Sequence, residues 1–394
     1  MEHKVLIVDV NAVGMVGVLR SLGRAGYDTF AIADKPNALG LYSKFAKHAE
    51  RCPSMNSLDF VPWLRDYLKD NCIEAIIPSE GFLHAISNDY QEFSHFLPDA
   101  VVLNIWQRCL SKVATQQTIT ELLPEVSWHL PVAGIVKDSS TMPKLDDLTA
   151  CPGPFYVKAD AGLANGLKNA HVIRCETAVE MVESIERLLP EYEAVLWQHY
   201  VPGKKVGVSL WRHDGVILAE NMTLGIHMQP WTGGMMSLRE SFWHDRLLAD
   251  AKEKMETLDW QGVAMMEYKW DPETDEFWFI EINARYWGYL HLDLYAGKDF
   301  PKLQVAAFFG EKEEDMGPPL SQLACRHTVP GEIGYVVSKL KSDEVSWLEK
   351  ISTVVGFFLR FFDFRTKSDL WFPGDRYLYI KSWSNFLTAL VSKK

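Results

Sequence analysis

Between Gly262 and Arg285 the chain reads GVAMMEYKWDPETDEFWFIEINAR, two apolar runs around the turn-forming stretch Asp271-Pro272-Glu273-Thr274-Asp275. Proline and aspartate in such a gap favour reversal, so the segment predicts an antiparallel hairpin over 263–284. Side chains of a strand alternate between faces. Glu281, Asn283 and Arg285 therefore share one face, and Ile280, Ile282 and Ala284 share the other, buried one. If the turn loops out an odd number of residues, for instance 272–276, Glu267 lies opposite Glu281 on the polar face. Facing carboxylates repel, and two Glu with an Asn suit a Mg²⁺ ion that also holds phosphates. The competing reading is an ordinary solvent-exposed polar face, the commoner fate of Glu in such a hairpin.

The remainder of the chain bears on that choice. Residues 4–9, KVLIVD, form a β-branched run, Gly14 to Gly26 carry helical apolar spacing, and Asp28 to Asp34 return to strand character. A helix at Phe60 to Asn71 leads into a strand at Glu74 to Pro78, and Val101-Val102-Leu103 reads as a further strand. Residues 1–110 thus read as a Rossmann-like lobe. The first βα turn, Asp9 to Gly17, lacks G-x-G-x-x-G, which argues against a dinucleotide there.

After a stretch at 125–150 rich in Pro, Ser, Thr and Asp the pattern changes to strands and hairpins. Strands are expected at Phe155 to Ala159, His171 to Arg174, Ala194 to Gln198, Val206 to Trp211 and Val216 to Asn221. Helices are expected at Thr177 to Leu189 and at 242–258, with a loop at Gly233-Gly234 between the later strands. Beyond about 320 the pattern is harder to read. Its run ISTVVGFFLRFFDF at 351–364 is expected as a buried helix, with contact to a membrane or a lipid-linked substrate as the second reading.

The net charge of -12 offers no diffuse basic field, which argues against generic nucleic-acid binding and means that any anion must meet a local set of Lys and Arg. Cys52, Cys72, Cys109, Cys151, Cys175 and Cys325 are dispersed, without zinc-ligand spacing, and fit a reducing cytoplasm. The opening run Val5-Leu6-Ile7-Val8 is short for a signal-peptide core and reads as a first buried strand.

The motif EINAR at 281–285, preceded by MMEYK at 265–269, resembles the signature of ATP-grasp enzymes, in which a Glu on one strand precedes E-x-N-P-R. In matching order, Leu110-Ser111-Lys112, Phe155-Tyr156-Val157-Lys158, Gly166-Leu167-Lys168 and Val195 to Gly203 resemble that family's nucleotide-binding elements. The similarity is greatest to the carbamoyl-phosphate-synthase-like carboxylate-amine ligases. It implies an α/β chain, α+β within the grasp. A Rossmann-like pre-grasp lobe would span 1–110, a small lobe and hinge 111–203, a large lobe with the metal site 204–320, and a C-terminal extension 321–394.

The resemblance assigns Lys112 to ATP phosphates, Lys158 to the phosphates and the adenine side, and Lys168 to the nucleotide, with a solvated loop lysine as its rival reading; Gln198, His199, Tyr200 and Val201 go to the adenine edge through hinge backbone groups. It assigns Glu267, Glu281 and Asn283 to Mg²⁺, for which Mn²⁺ is a substitute, Arg285 to the transferred phosphoryl group, and Arg239 to phosphate or a substrate carboxylate. Ala284 stands where the family usually has proline, His199 where an acid is common, and the loop 160–169 holds only Gly162 and Gly166. The implied reaction joins a small-molecule carboxylate, through an acyl phosphate, to an amine such as an amino acid, with release of ADP and phosphate. A phosphotransferase and a catalytically silent nucleotide-binding scaffold are the rival readings, and a homo-oligomer is left open. The acceptor pocket lies in segments without transferable motifs, of which 225–240 and 325–335 are the candidates.

Overall fold

The computed structural model describes residues 2–148, 153–160, 171–312 and 316–391. Four parallel strands, β1 (Lys4–Ile7), β2 (Asp28–Ala33), β3 (His48–Arg51) and β4 (Ala75–Ile77), form the first sheet in the order β3-β2-β1-β4. β1 from Val5, β2 from Phe30 and the whole of β4 are apolar and buried because helices cover both faces, as the sequence predicts. Two differences stand out. β3, HAER, is exposed along its whole length and carries no apolar signal, since an edge strand needs only backbone pairing. Val101-Val102 is not a strand but the approach to the helix Leu103–Leu110, whose apolar residues Trp106 and Cys109 recur at helical spacing.

The second sheet is antiparallel and comprises β5 (Ala133–Val136), β6 (Phe155–Ala159), β7 (His171–Cys175) and β8 (Val195–His199), in the order β5-β8-β6-β7. The helix Ala178–Leu188 closes one face through Met181, Ile185 and Leu188, spaced three and four apart.

The third and largest sheet contains β9 (Lys204–His213), β10 (Val216–Gln229), β11 (Met235–Ser241), β12 (Gly262–Trp270), β13 (Phe277–Asn283), β14 (Ala324–Arg326) and β15 (Thr366–Ser368). Its order is β13-β12-β9-β10-β11-β14-β15. The last two strands come from beyond residue 320, so that part of the chain completes the sheet begun at Lys204.

The run at 351–364 is helical to Leu359, yet the helix Trp347–Leu359 has no buried residue. The expected burial fails because only one side of the helix meets the protein. There the guanidinium of Arg326 lies 4.7 Å from the ring of Phe357 and 4.4 Å from that of Phe361. Leu348, Val355, Phe358 and Leu359 remain exposed.

Candidate active site

β12 and β13 form the expected hairpin, with Glu267 directly opposite Glu281 in the register. The route to that pairing differs from the expected one. Trp270 pairs with Phe277, so the connection holds the six residues 271–276, an even number. Parity is corrected inside the strand, where the register shifts between Glu267/Glu281 and Tyr268/Phe279 and Ile280 is the extra residue of a β-bulge. Phe277 and Phe279 therefore point into the core together with Ile282 and Ala284, whereas simple alternation from Glu281 would have turned both phenylalanines to the polar face. Ile280 is released from the buried set and lines a cleft.

Three lysines converge on the two carboxylates. Lys112 begins the helix Lys112–Leu122, which Ser111 caps by accepting from the Ala114 N–H, and its Nζ stands 3.2 Å from Glu281 Oε2. Asp160, at the end of β6, accepts from the Ser111 hydroxyl and the Val113 N–H, locking that helix start to the second sheet. Lys158 on β6 is buried and donates from Nζ to Gln198 Oε1 at 2.6 Å; Gln198 in turn donates to Gln116 at 3.2 Å. Lys205 on β9 lies 2.8 Å from Glu267 and also donates to the Gly234 carbonyl.

Lys205 is absent from the residues expected from sequence. Its signal is available in hindsight: it follows Val201-Pro202-Gly203 and, by period 2, shares a face with Gly207, which pairs with Glu267. Gly207 is itself required, because a Cβ there would meet the Tyr289 hydroxyl at 1.6 Å.

The electrostatics follow from this packing. Burial alone pushes the Glu281 carboxyl upward, but Lys112, Lys158 and Lys205 outweigh it and hold the group down at about 2. Burial lowers the Lys158 ammonium below its usual value, with Glu281 opposing that shift and Lys112 adding to it. Burial also acts to lower Lys112, yet Glu281, Asp160 and Glu80 leave it raised.

Two cavities meet at this cluster. One, of about 340 Å³, is lined by Tyr156, Lys158, Gln198, His199, Tyr200 and Val201 on the side of the second sheet and by Lys269 and Ile280 on that of the third. The other, of about 450 Å³, reaches the N-terminal lobe at Asp9, Ser79 and Glu80 and includes Met235, Asn283, Arg285 and Tyr289. Lys205, Glu267 and Glu281 line both. Arg285 bridges the lobes, donating to Glu80 at 3.0 Å and to Asn283 Oδ1 at 2.9 Å. Asn283 lies 3.4 Å from Glu281 Oε1. Gly14 lets the first helix touch the wall of this cavity, since a Cβ would meet the Trp287 carbonyl at 2.4 Å.

Several expected residues are placed otherwise. Arg239 lines neither cavity; it is fully buried and paired with Asp369, with its Nη1 3.0 Å from Asp369 Oδ2. β11 is buried on both faces from Met236 to Arg239, and a carboxylate from the C-terminal region is the partner that allows the guanidinium to remain there. The N–H groups of His199 and Tyr200 are engaged by the carbonyls of Val132 and Pro154, so adenine would not find them free. Of the two acceptor segments, 225–240 contributes Met235 and Met236 to the larger cavity. Residues 325–335 do not line it, because Arg326 and Glu332 are buried against each other. Lys168 and the loop residues 161–170 lie outside the described residues. Asp9, Glu80 and Lys269, like Lys205, line the clefts without a motif to mark them.

No family model matches this sequence, and no curated protein matches it. Solved structures do. The biotin carboxylase of Campylobacter jejuni, in a β-γ-ATP complex, superposes with a TM-score of 0.62 at 14% identity, covering 82% of this chain and 74% of that one. The biotin carboxylase domain of the Hydrogenobacter thermophilus 2-oxoglutarate carboxylase, with MgADP, ADP and bicarbonate, gives 0.60 at 18% identity, over 80% and 71%. The L-amino acid ligase of Bacillus licheniformis gives 0.58 at 15% identity, over 80% and 78%. At these identities the likeness is one of fold: the chain shares the fold of these two biotin carboxylases and of the L-amino acid ligase.

Proposed function

We propose that this chain is an ATP-dependent carboxylate-amine ligase. The observation that carries the reading is Glu281, a carboxylate held ionised by three lysines at the junction of two cavities. A carboxylate kept charged among lysines is suited to a site where a polyanion and a divalent cation arrive together. The smaller cavity suits a nucleotide: Ile280 and Val201 offer apolar walls, with Lys158 toward the triphosphate. The larger suits the acid and the amine, since it offers the Arg285 guanidinium together with the carboxylates of Asp9 and Glu80.

Glu267, Glu281 and Asn283 would hold Mg²⁺, because two carboxylates and one amide are the hard oxygen donors that this cation takes. When bound, the metal supplies charge neutralisation across the triphosphate. Lys205 and Lys112 now neutralise the two carboxylates. Were the two carboxylates engaged by a cation, the ammonium groups of Lys205 and Lys112 would be free to meet phosphate oxygens. Lys112, Lys158 and Arg285 then face the charge that develops as the γ-phosphoryl group moves to the substrate carboxylate. The acyl phosphate formed is attacked by the amine nitrogen, phosphate leaves, and an amide remains.

The test is to supply Mg-ATP with pools of carboxylic acids and amines, follow ADP release, and identify any condensed product by mass. ADP release that depends on both an acid and an amine supports the reading. Phosphorylation of a single acceptor with no condensed product would replace it with a phosphotransferase.

A further inference from the structure

The helix Trp347–Leu359 is amphipathic with its apolar side turned outward. Leu348, Ile351, Val355, Phe358 and Leu359 recur three or four residues apart, and each is between 44% and 78% exposed. The chain continues the same character through Phe362 and Phe364, 85% and 84% exposed. A contiguous apolar surface of this kind marks a contact site, since an ordinary soluble surface scatters its large apolar groups.

Charge distinguishes the possible occupants. Residues 321–394 contain eleven Lys and Arg against seven Asp and Glu, a formal +4, whereas residues 1–320 carry -16. Three of the seven acids, Glu332, Asp369 and Asp375, are buried, but among the described basic residues of this region only Arg326 is. The solvent-facing charge is therefore more basic than the count. Lys350 lies on the helix and Arg360 caps its C-terminus, with Arg365 and Lys367 following; of the acids in the same stretch, Glu349 is paired with Lys339 and Asp363 with Arg365. A twofold contact between copies through this face would bring two basic regions together. An anionic bilayer instead complements both the apolar stripe and the charge around it. Among the described residues no helix is long and apolar enough to cross a membrane, which leaves a helix lying in the interface.

We propose that this face docks the protein on a membrane surface containing anionic phospholipid, with Phe358, Leu359 and Phe362 entering the acyl boundary and the neighbouring Lys and Arg meeting the headgroups.

The test uses the full chain in vesicle flotation, with phosphatidylcholine alone and with phosphatidylcholine containing one part in three of phosphatidylglycerol. Binding is expected to the anionic vesicles, reduced at least about tenfold on the neutral ones and by raised salt. The double variant Phe358→Glu/Leu359→Glu should lose at least about tenfold in binding to the anionic vesicles. Phe362→Glu, at a position too exposed to disturb folding, should weaken binding in the same direction. Circular dichroism confirms that each variant is folded. Equal binding to both vesicle types, unchanged binding by folded variants, or no binding at all overturns the proposal. If binding is absent and sedimentation shows a dimer that the double variant dissociates, the face is instead an interface between copies.

Discussion

Glu267 and Glu281 face each other across two antiparallel strands joined by an even-length turn, and they do so because Ile280 bulges out of β13. That one extra residue keeps Phe277 and Phe279 in the core while leaving both carboxylates on the cleft. It also delivers an aliphatic side chain to the smaller cavity. Replacing Ile280 with Ala should weaken ATP binding about five- to tenfold, from roughly 1 kcal/mol of lost apolar contact, with little change in the thermal midpoint. Calorimetric titration and a melting curve measure the two quantities separately.

Lys158 is buried, and its Nζ is satisfied by Gln198 at 2.6 Å. Truncation to Met keeps the stem and removes the charge. The affinity for ATP should fall about 10- to 100-fold, the value of a charge-assisted contact of roughly 1.5–3 kcal/mol. Affinity for adenosine, which lacks phosphates, should hardly change. An equal loss for both ligands would place Lys158 in the wrong role.

Glu281→Gln should reduce acceptor-dependent ADP release by about 10²-fold or more while the protein stays folded. The same carboxylate contributes to acid sensitivity. Its value in the folded chain, about 2, lies below the ordinary 4.5, so the folded state binds its proton less readily than the unfolded state does. The stability this group supplies is complete above about pH 4.5 and is lost as pH falls toward about 2. Urea unfolding of the Gln variant should show a shallower loss over that interval.

Asp293 runs the other way. It is fully buried, accepts from Asn221 and from the Trp287 indole at 2.6 Å each, and burial raises it to about 7 against the opposing hydrogen bonds. A raised carboxyl means that the folded state holds its proton more tightly, so its contribution to stability declines as pH rises from about 4 through about 7. Trp287 lines the larger cavity. Its emission, isolated as the difference from a Trp287→Phe variant, should titrate near pH 7, and Asp293→Asn should abolish that step.

Arg239 and Asp369 form a fully buried pair that ties the large sheet to the C-terminal region. Asp369→Ala leaves the guanidinium without its carboxylate and should cost about 3–5 kcal/mol in urea unfolding. ATP affinity of the folded fraction should remain within about twofold, because neither residue lines the smaller cavity, the one proposed for the nucleotide. A large loss of affinity at unchanged stability would return Arg239 to the site.

What the residues determine by themselves is local. The apolar runs of β1, β2 and β4, the hairpin around Asp271–Asp275 and the sharing of one face by Glu281 and Asn283 follow from period and turn chemistry, which act over a few positions. The order of motifs also carried the fold, through resemblance. Tertiary structure decided what depends on partners distant in sequence. It brought Lys205 to Glu267 and Lys112 to Glu281, withdrew Arg239 into a pair with Asp369, and left the helix Trp347–Leu359 uncovered. It also settled the bulge at Ile280, because a one-residue slip costs nothing in local propensity and is fixed only by which side chains the assembled core will bury.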